Sequence, residues 1–275
     1  MKPQTTYTDL IQRSFEALAH AFRRTFRAPR PGAEQRLFPR QSSFWICLFI
    51  IGLGTAGLMA YFDVDVTLWK RANLDPGSFV ETSFQVITRF GTSGWVLIGT
   101  AIIGLYLSLS PWDQLPRPEL LQRVNWYSDA NFAFFTIALS GIAANLIKNM
   151  IGRARPKMLD TLGPFHFEHA AFESTYASFP SGHSTTSGAI GMVLILLFPR
   201  YWPIWLLIAV LGGVSRVMVG AHYPSDVLAG LAFGAGFVLL SARWLALRGT
   251  MFTLGEGWIP KRKRQLSAAT MAASA

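Results

Sequence analysis

Six apolar runs dominate this sequence, each ended by charged or turn-forming residues. They cover about Phe44–Phe62, Trp95–Leu109, Ala130–Ile147 and Ser184–Phe198, a fifth that ends near Met218, and Val227–Leu247. Crossing a hydrocarbon core takes roughly 20 helical residues, and these runs approach or reach that length. Only 15% of the 275 residues are charged while 51% are hydrophobic, which argues against a soluble domain. The pattern predicts an all-α, polytopic membrane protein, a six-transmembrane-helix bundle preceded by an amphipathic N-terminal helix. Within the spans, Ser184/Gly188, Ser187/Gly191 and Gly230/Gly234 have the small-xxx-small spacing that lets membrane helices approach closely.

Charge sets the expected orientation. The net charge of +10 is concentrated at the two ends: residues 1–43 carry eight Lys or Arg against three acids, and Lys261, Arg262, Lys263 and Arg264 follow the last span. Basic residues beside membrane spans obey the positive-inside rule and need no nucleic acid partner. Both termini are therefore expected in the cytoplasm, in agreement with an even number of spans, which places them on one side. Residues 1–43 read as a cytoplasmic basic amphipathic segment, 44–247 as the six-span domain and 248–275 as a basic cytoplasmic tail. In the first segment Ile11, Phe15, Leu18, Phe22 and Phe26 form a helical stripe, with Arg23, Arg24 and Arg27 off it. That stripe suits either an anionic membrane surface or the protein's own cytoplasmic side. The basic region before the first span is too long for a secretory signal. Residues 63–94 carry mixed charge and read as a loop. The lone Cys47 forms no disulfide within the chain.

Three polar clusters interrupt the apolar pattern between residues 148 and 226. The first holds Lys148, Arg153, Arg155 and Pro156; the second is Pro180-Ser181-Gly182-His183; the third runs from Ser215-Arg216 to His222 and Asp226. All lie on the connections after spans three and five, or at the helix ends bounding them, and so share one side of the membrane. Lys148 and Arg155 are seven residues apart, close to two helical turns, and converge on one side. Forked guanidinium donors and an ammonium suit phosphate. Ser181 and Gly182 open the fourth span, so backbone N–H groups and the positive helix end form an anion cradle. Asp226, four residues after His222, can fix the imidazole tautomer and leave the other nitrogen to attack. His183, at the head of another helix, then serves as proton donor.

Lys148-x6-Arg155-Pro156, Pro180-Ser181-Gly182-His183 and Ser215-Arg216-x5-His222-x3-Asp226 together resemble the three-part signature of the type 2 phosphatidic acid phosphatase superfamily. The resemblance covers about residues 90–245. It implies a lipid phosphatase that needs no metal or other cofactor and passes through a phosphohistidine. On that resemblance His222 is the nucleophile, Asp226 orients it, and His183 protonates the leaving alcohol and later activates water. Lys148, Arg155, Ser181, Gly182 and Arg216 would bind the phosphoryl oxygens, with Arg153 and Lys157 adding field.

The substrate expected is a membrane lipid phosphate: phosphatidate, phosphatidylglycerophosphate, a polyprenyl diphosphate or a phosphate of lipid A. The expected setting is a bacterial inner membrane with the site facing the periplasm. A non-enzymatic transporter of anionic lipid or phosphate would suit the spans and cations, but has no need of two histidines and a carboxylate. A vanadate-holding haloperoxidase shares the motif, yet its relatives are soluble. His166-Phe167-Glu168-His169 offers a rival metal cluster whose third ligand is unspecified. Residues 157–179, with Phe165, Phe167, Phe172, Tyr176 and Phe179, read instead as an aromatic flap over the site. Nothing in the sequence speaks to oligomeric state.

Overall fold

The computed structural model describes residues 12, 23, 37–110, 112 and 115–263. The stripe residues Ile11, Phe15, Leu18, Phe22 and Phe26 lie outside this set, as does Arg264. In chain order the helices are α1 (Ser42–Gly57), α2 (Asp63–Asn73), α3 (Phe79–Phe90), α4 (Gly94–Ser108), α5 (Arg117–Ile151), the short α6 (Leu159–Leu162), α7 (Gly182–Leu197), α8 (Trp202–Met218) and α9 (Pro224–Leu247). A π-helical turn, Leu58–Phe62, joins α1 to α2. Two-residue strands β1 (Phe252–Thr253) and β2 (Lys261–Arg262) pair antiparallel.

Five stretches are long and apolar enough to cross a membrane: Ser42–Asn73, Phe79–Ser108, Arg117–Ile151, Pro199–Met218 and Pro224–Leu247. This is a multi-pass, all-α membrane protein. The remaining expected span, α7, has 16 residues, about 24 Å of helix against a hydrocarbon core of roughly 30 Å. Ten of those residues are buried, among them Thr185, Ser187, Gly188 and Val193, so much of α7 faces protein.

Residues 63–94 depart most from the expected pattern: they form α2 and α3, not a loop. Both helices carry the usual end signals. Asp63 and Asp65 stand in the first turn of α2 and Lys70 and Arg71 in its last, complementing the helix dipole. Ser78 caps α3, its hydroxyl oxygen accepting the Glu81 N–H at 3.2 Å, while the Glu81 carboxylate accepts the Gly77 N–H at 2.7 Å. The mixed charge misleads because part of it, Asp63 and Glu81, faces inward. Glu81 is buried and Thr88 half-buried, whereas Phe79 and Phe90 point outward.

The chain forms two compact units, residues 39–95 with 135–239, and residues 1–38, 96–134 and 240–275. In the second, Phe132 packs on Phe252 with ring centroids 4.9 Å apart, and Arg262 pairs with Asp129 at 2.7 Å. Arg243 donates to the carbonyls of Leu37 and Trp258 at 2.8 and 3.0 Å. Part of the 248–275 segment is thus a docked hairpin.

The first unit contains the three polar clusters. It depends on small residues, as their spacing predicts. A β-carbon on Gly234 of α9 would sit 2.0 Å from the Thr185 carbonyl oxygen, and one on Gly188 of α7 would sit 2.2 Å from that of Leu231. The two backbones therefore touch directly. Gly234→Ala is expected to destabilise the detergent-solubilised protein by about 1–3 kcal/mol through overpacking. Gly236→Ala, where nothing lies within 4 Å, should melt at or above the wild-type temperature through its gain in helix propensity. Thermal unfolding followed by circular dichroism checks both.

Candidate active site

The deepest part of the site is ionic. Arg153 follows Gly152, whose positive φ of 68° ends α5 in the left-handed conformation that glycine favours. The Arg153 guanidinium is fully buried and spends every N–H it has. Its NH1 donates to Asp226 Oδ1 and Ser225 Oγ, both at 2.7 Å. Its NH2 donates to Asp63 Oδ2 at 2.9 Å and to the Pro164 carbonyl at 3.1 Å, and its Nε donates to that carbonyl at 3.2 Å. Asp63 also accepts the Ser225 N–H at 2.9 Å and, in a short contact, the Ser225 hydroxyl. The guanidinium stacks 4.4 Å from the centroid of the Tyr223 ring. Arg153 thus bridges two carboxylates.

Asp226, in the first turn of α9, is equally committed. Its Oδ2 accepts the Ser178 hydroxyl at 2.6 Å and the Tyr223 N–H at 2.9 Å. His222 Nδ1 stands 3.7 Å from the same oxygen, longer than a hydrogen bond, and is buried without a partner. The expected His222–Asp226 pair is therefore a close approach without a hydrogen bond. Burial holds the His222 imidazole below its ordinary pKa, with the Asp226 carboxylate pulling the other way. The Tyr223 phenol, also buried, is pushed up to about 12 against the opposing pull of Arg153. Burial thus biases the imidazole toward its neutral form, and the phenol keeps its proton.

Around this base sit the cations. Arg155, Lys148 and Arg216 act on one another or on the two histidines through their charge. None of the three is ion-paired to a carboxylate among the described residues. Arg216 is steered by Thr88 of α3, whose hydroxyl accepts from NH1 at 2.8 Å. A β-carbon on Gly182 would lie 3.9 Å from Lys148 Nζ, so the ammonium stands at the head of α7. The Ser181 oxygen caps that helix, accepting the Ser184 N–H at 3.4 Å and the Ser184 hydroxyl at 2.9 Å, which leaves its own proton to offer. The Gly182 and His183 N–H groups have no acceptor among the described residues. Positive helix end, two amides, three cations and two imidazoles face one place, an arrangement suited to an oxyanion of high charge. Beside it, Arg155, Lys157, Ser174, Gly220 and Ala221 line a pocket of about 130 Å³.

All eight site residues expected from sequence, Lys148, Arg155, Ser181, Gly182, His183, Arg216, His222 and Asp226, come together in one unit. Arg153 is the one cation of the first cluster turned away from the oxyanion site. Asp63, Ser178, Ser225 and Thr88 were not foreseen. Asp63 had a signal, since it continues the apolar run Phe44–Phe62 and an ionisable residue at membrane depth marks a functional position. The flap region is a set of turns pinned by backbone hydrogen bonds from Ala154 to His166 at 3.0 Å and from Arg155 to Thr175 at 3.0 Å. Phe165 and Phe172 are exposed on it. His166 lies 3.8 Å from Glu168, and no group of three or more His, Cys, Asp or Glu suited to a metal ion exists among the described residues.

The PAP2 superfamily model matches residues 129–249, which contain all three clusters. A relative named lipid A 1-phosphatase, from Rhizobium johnstonii, is 44% identical over 222 residues, 79% of this chain and 87% of that protein. The chain belongs to the PAP2 superfamily. A second relative, named lipid A 1-phosphatase, from Rhizobium etli, is 42% identical over 79% of this chain and 92% of its own length. A crystal structure of a transmembrane PAP2-type phosphatidylglycerolphosphate phosphatase from Bacillus subtilis aligns with TM-score 0.48 and 23% identity, over 70% of this chain and 92% of that one. This PAP2 protein is a membrane phosphatase. Because its cations are unpaired, orthophosphate should bind in detergent, and Lys148→Ala or Arg155→Ala should each weaken that binding by about 10-fold, the 1.4 kcal/mol scale of one charged hydrogen bond. Isothermal titration with phosphate measures this; unchanged affinity in both variants would place the anion elsewhere.

Proposed function

We propose that the protein removes the phosphate of a membrane lipid by way of a phosphohistidine on His222, and that its substrate is the 1-phosphate of lipid A. The chemistry rests on one observation: a buried His222 shares a site with a second histidine, three cations that pair with no carboxylate among the described residues, and the N-terminus of α7. A passive conduit has no use for the two imidazoles.

The steps derive from the positions. Lys148, Arg155, Arg216, the Ser181 hydroxyl and the Gly182 and His183 amides hold the phosphoryl oxygens and offset the charge that builds in the transition state. The free nitrogen of His222 attacks phosphorus, and the bond from phosphorus to the lipid oxygen breaks. The bond electrons go to that oxygen, which takes a proton from His183, whose imidazole acquires that proton as the bound phosphate dianion offsets the charge of the cations around it. The ring of His222 becomes cationic as the phosphorus–nitrogen bond forms. Asp226 then faces a positive imidazole, and the 3.7 Å spacing to Nδ1 is one that tightens as charge develops. Water next attacks phosphorus and gives its proton to His183, so that orthophosphate leaves and both imidazoles return to their starting states. No step calls on a metal, because the fixed cations supply the positive charge.

The choice of lipid rests on likeness to the Rhizobium proteins, at 44% and 42% identity over most of their length. The lipid's tails gain about 0.8 kcal/mol for each CH₂ kept out of water, so the headgroup enters sideways while the chains remain in the bilayer. The exposed Phe165 and Phe172 suit the wall of such an entrance. Basic residues in both terminal segments support a bacterial inner membrane setting with termini in the cytoplasm and the site facing the periplasm. On this reading residues 1–43 and 248–275 are cytoplasmic segments flanking the catalytic domain, 44–247.

A panel of lipid A, phosphatidate, phosphatidylglycerophosphate and polyprenyl diphosphate, assayed in detergent with excess chelator, tests the assignment. Release from the 1-position of lipid A should exceed release from the others. Preference for another lipid would overturn the substrate, and loss of all activity that Mg²⁺ or Zn²⁺ restores would overturn the metal-free chemistry. His222→Ala should abolish turnover and phosphoenzyme while lipid still binds. His183→Ala should keep phosphoenzyme formation from an ester whose leaving group needs no proton. Acid-labile phosphate trapped on His183 would exchange the two roles.

A further inference from the structure

The geometry points to Asp63 as a positioning residue for catalysis, acting on His222 through Arg153 and Asp226. This rests on the phosphohistidine reading and extends it to a helix outside all three polar clusters.

Charge makes the first part of the case. Asp226 can stabilise a cationic His222 ring only while its own negative charge is not cancelled. Yet it makes a 2.7 Å ion pair with Arg153, with both side chains fully buried. A lone guanidinium at that distance would neutralise it. Asp63 lies 2.9 Å from the other amino group of the same guanidinium, also fully buried. Two carboxylates then share one cation, and the assembly keeps a net negative charge beside His222. Asp63 lets Arg153 orient Asp226 without silencing it.

Geometry makes the second part. Asp63 Oδ1 accepts the Ser225 N–H at 2.9 Å, and Oδ2 takes the Ser225 hydroxyl together with Arg153. Ser225 immediately precedes Asp226, so Asp63 holds the first turn of α9 by its backbone as well as through the guanidinium. The π-helical turn Leu58–Phe62 stands directly before Asp63. One extra residue in a turn rotates the succeeding helix by about 100°, which sets the facing of Asp63 apart from that of the apolar helix leading to it.

A purely stabilising role is the weaker account. Desolvating two carboxylates and a guanidinium costs several kcal/mol per ion, and apolar replacements of such groups are often as stable. A triad that gains little stability and touches the nucleophile's partner is better explained by what it does to that partner.

The test is a double-mutant cycle on the purified, detergent-solubilised full chain, with an activated phosphate ester so that slow variants stay measurable. Asp63→Asn should lower kcat by about 10- to 100-fold, the scale on which losing the outer partner of an orienting group acts, with KM within about twofold of wild type. In an Asp226→Asn background the same change should cost no more than about twofold, because coupled residues are not additive. Equal losses in both backgrounds, or a loss confined to KM, would overturn the inference. If Asp63→Asn melts well below the wild type, Ser225→Ala, which removes only the bridging hydroxyl, passes through the same cycle and decides by the same outcomes. Phosphoenzyme is trapped in parallel. A wild type without phosphate on His222 removes the function proposed above, whereas a labelled wild type with an indifferent Asp63→Asn removes this inference alone.

Discussion

The bare backbone contact between α7 and α9 is the constraint on which the site depends. A β-carbon at Gly230 would lie 2.5 Å from the Ser181 carbonyl, and the Ser181 N–H donates to the Asp226 carbonyl at 3.0 Å. The head of α7, with Ser181, Gly182 and His183, is thereby held to the head of α9, with Asp226, by main-chain atoms. Side chains hop between rotamers, but two helix backbones in contact fix their ends to each other. His183 on one helix and His222 just ahead of the other are therefore held in a fixed relation.

Charge is sorted by depth on that frame. The carboxylates Asp63 and Asp226 and the guanidinium of Arg153 are sealed away from solvent, while Lys148, Arg155 and Arg216 stay partly open. Buried negative charge behind a histidine and accessible positive charge in front of it make a field that runs through the imidazole. On the function proposed above, that field would draw a substrate dianion to the cations and meet positive charge on the ring with the carboxylates. Thr88 and Ser178 are the neutral pins in this arrangement, one steering Arg216 and the other Asp226.

How much the sequence revealed depends on where its signals lie. The three clusters were legible because polar residues stand out against apolar runs, and their local spacing already carries helix ends and the His222–Asp226 interval. The spans were legible for the same reason. The helices α2 and α3 were not, since their inward faces carry Asp63, Glu81 and Thr88 while Phe79 and Phe90 point outward, the reverse of a soluble amphipathic pattern. The end signals, Ser78 with Glu81 above all, were present but short-range. The role of Arg153 could not be read, because its partner Asp63 lies 90 residues away in sequence. Long-range pairs between single residues leave no periodicity to detect.

The attachment of the 157–179 segment bears on how this protein sorts its substrates. Arg153 grips the Pro164 carbonyl with two N–H groups, Glu168 N–H reaches Gly152 at 2.8 Å, and Ser178 N–H reaches Arg153 at 3.1 Å. Both flanks of the segment are thus sewn to the very residues that carry the buried triad. A door needs a slack hinge, and none is left here: swinging Pro164 away would strip a buried guanidinium of its acceptor. The segment is better understood as a standing rim. On the function proposed above, a lipid would meet a fixed edge bearing Phe165 and Phe172 in place of a moving lid.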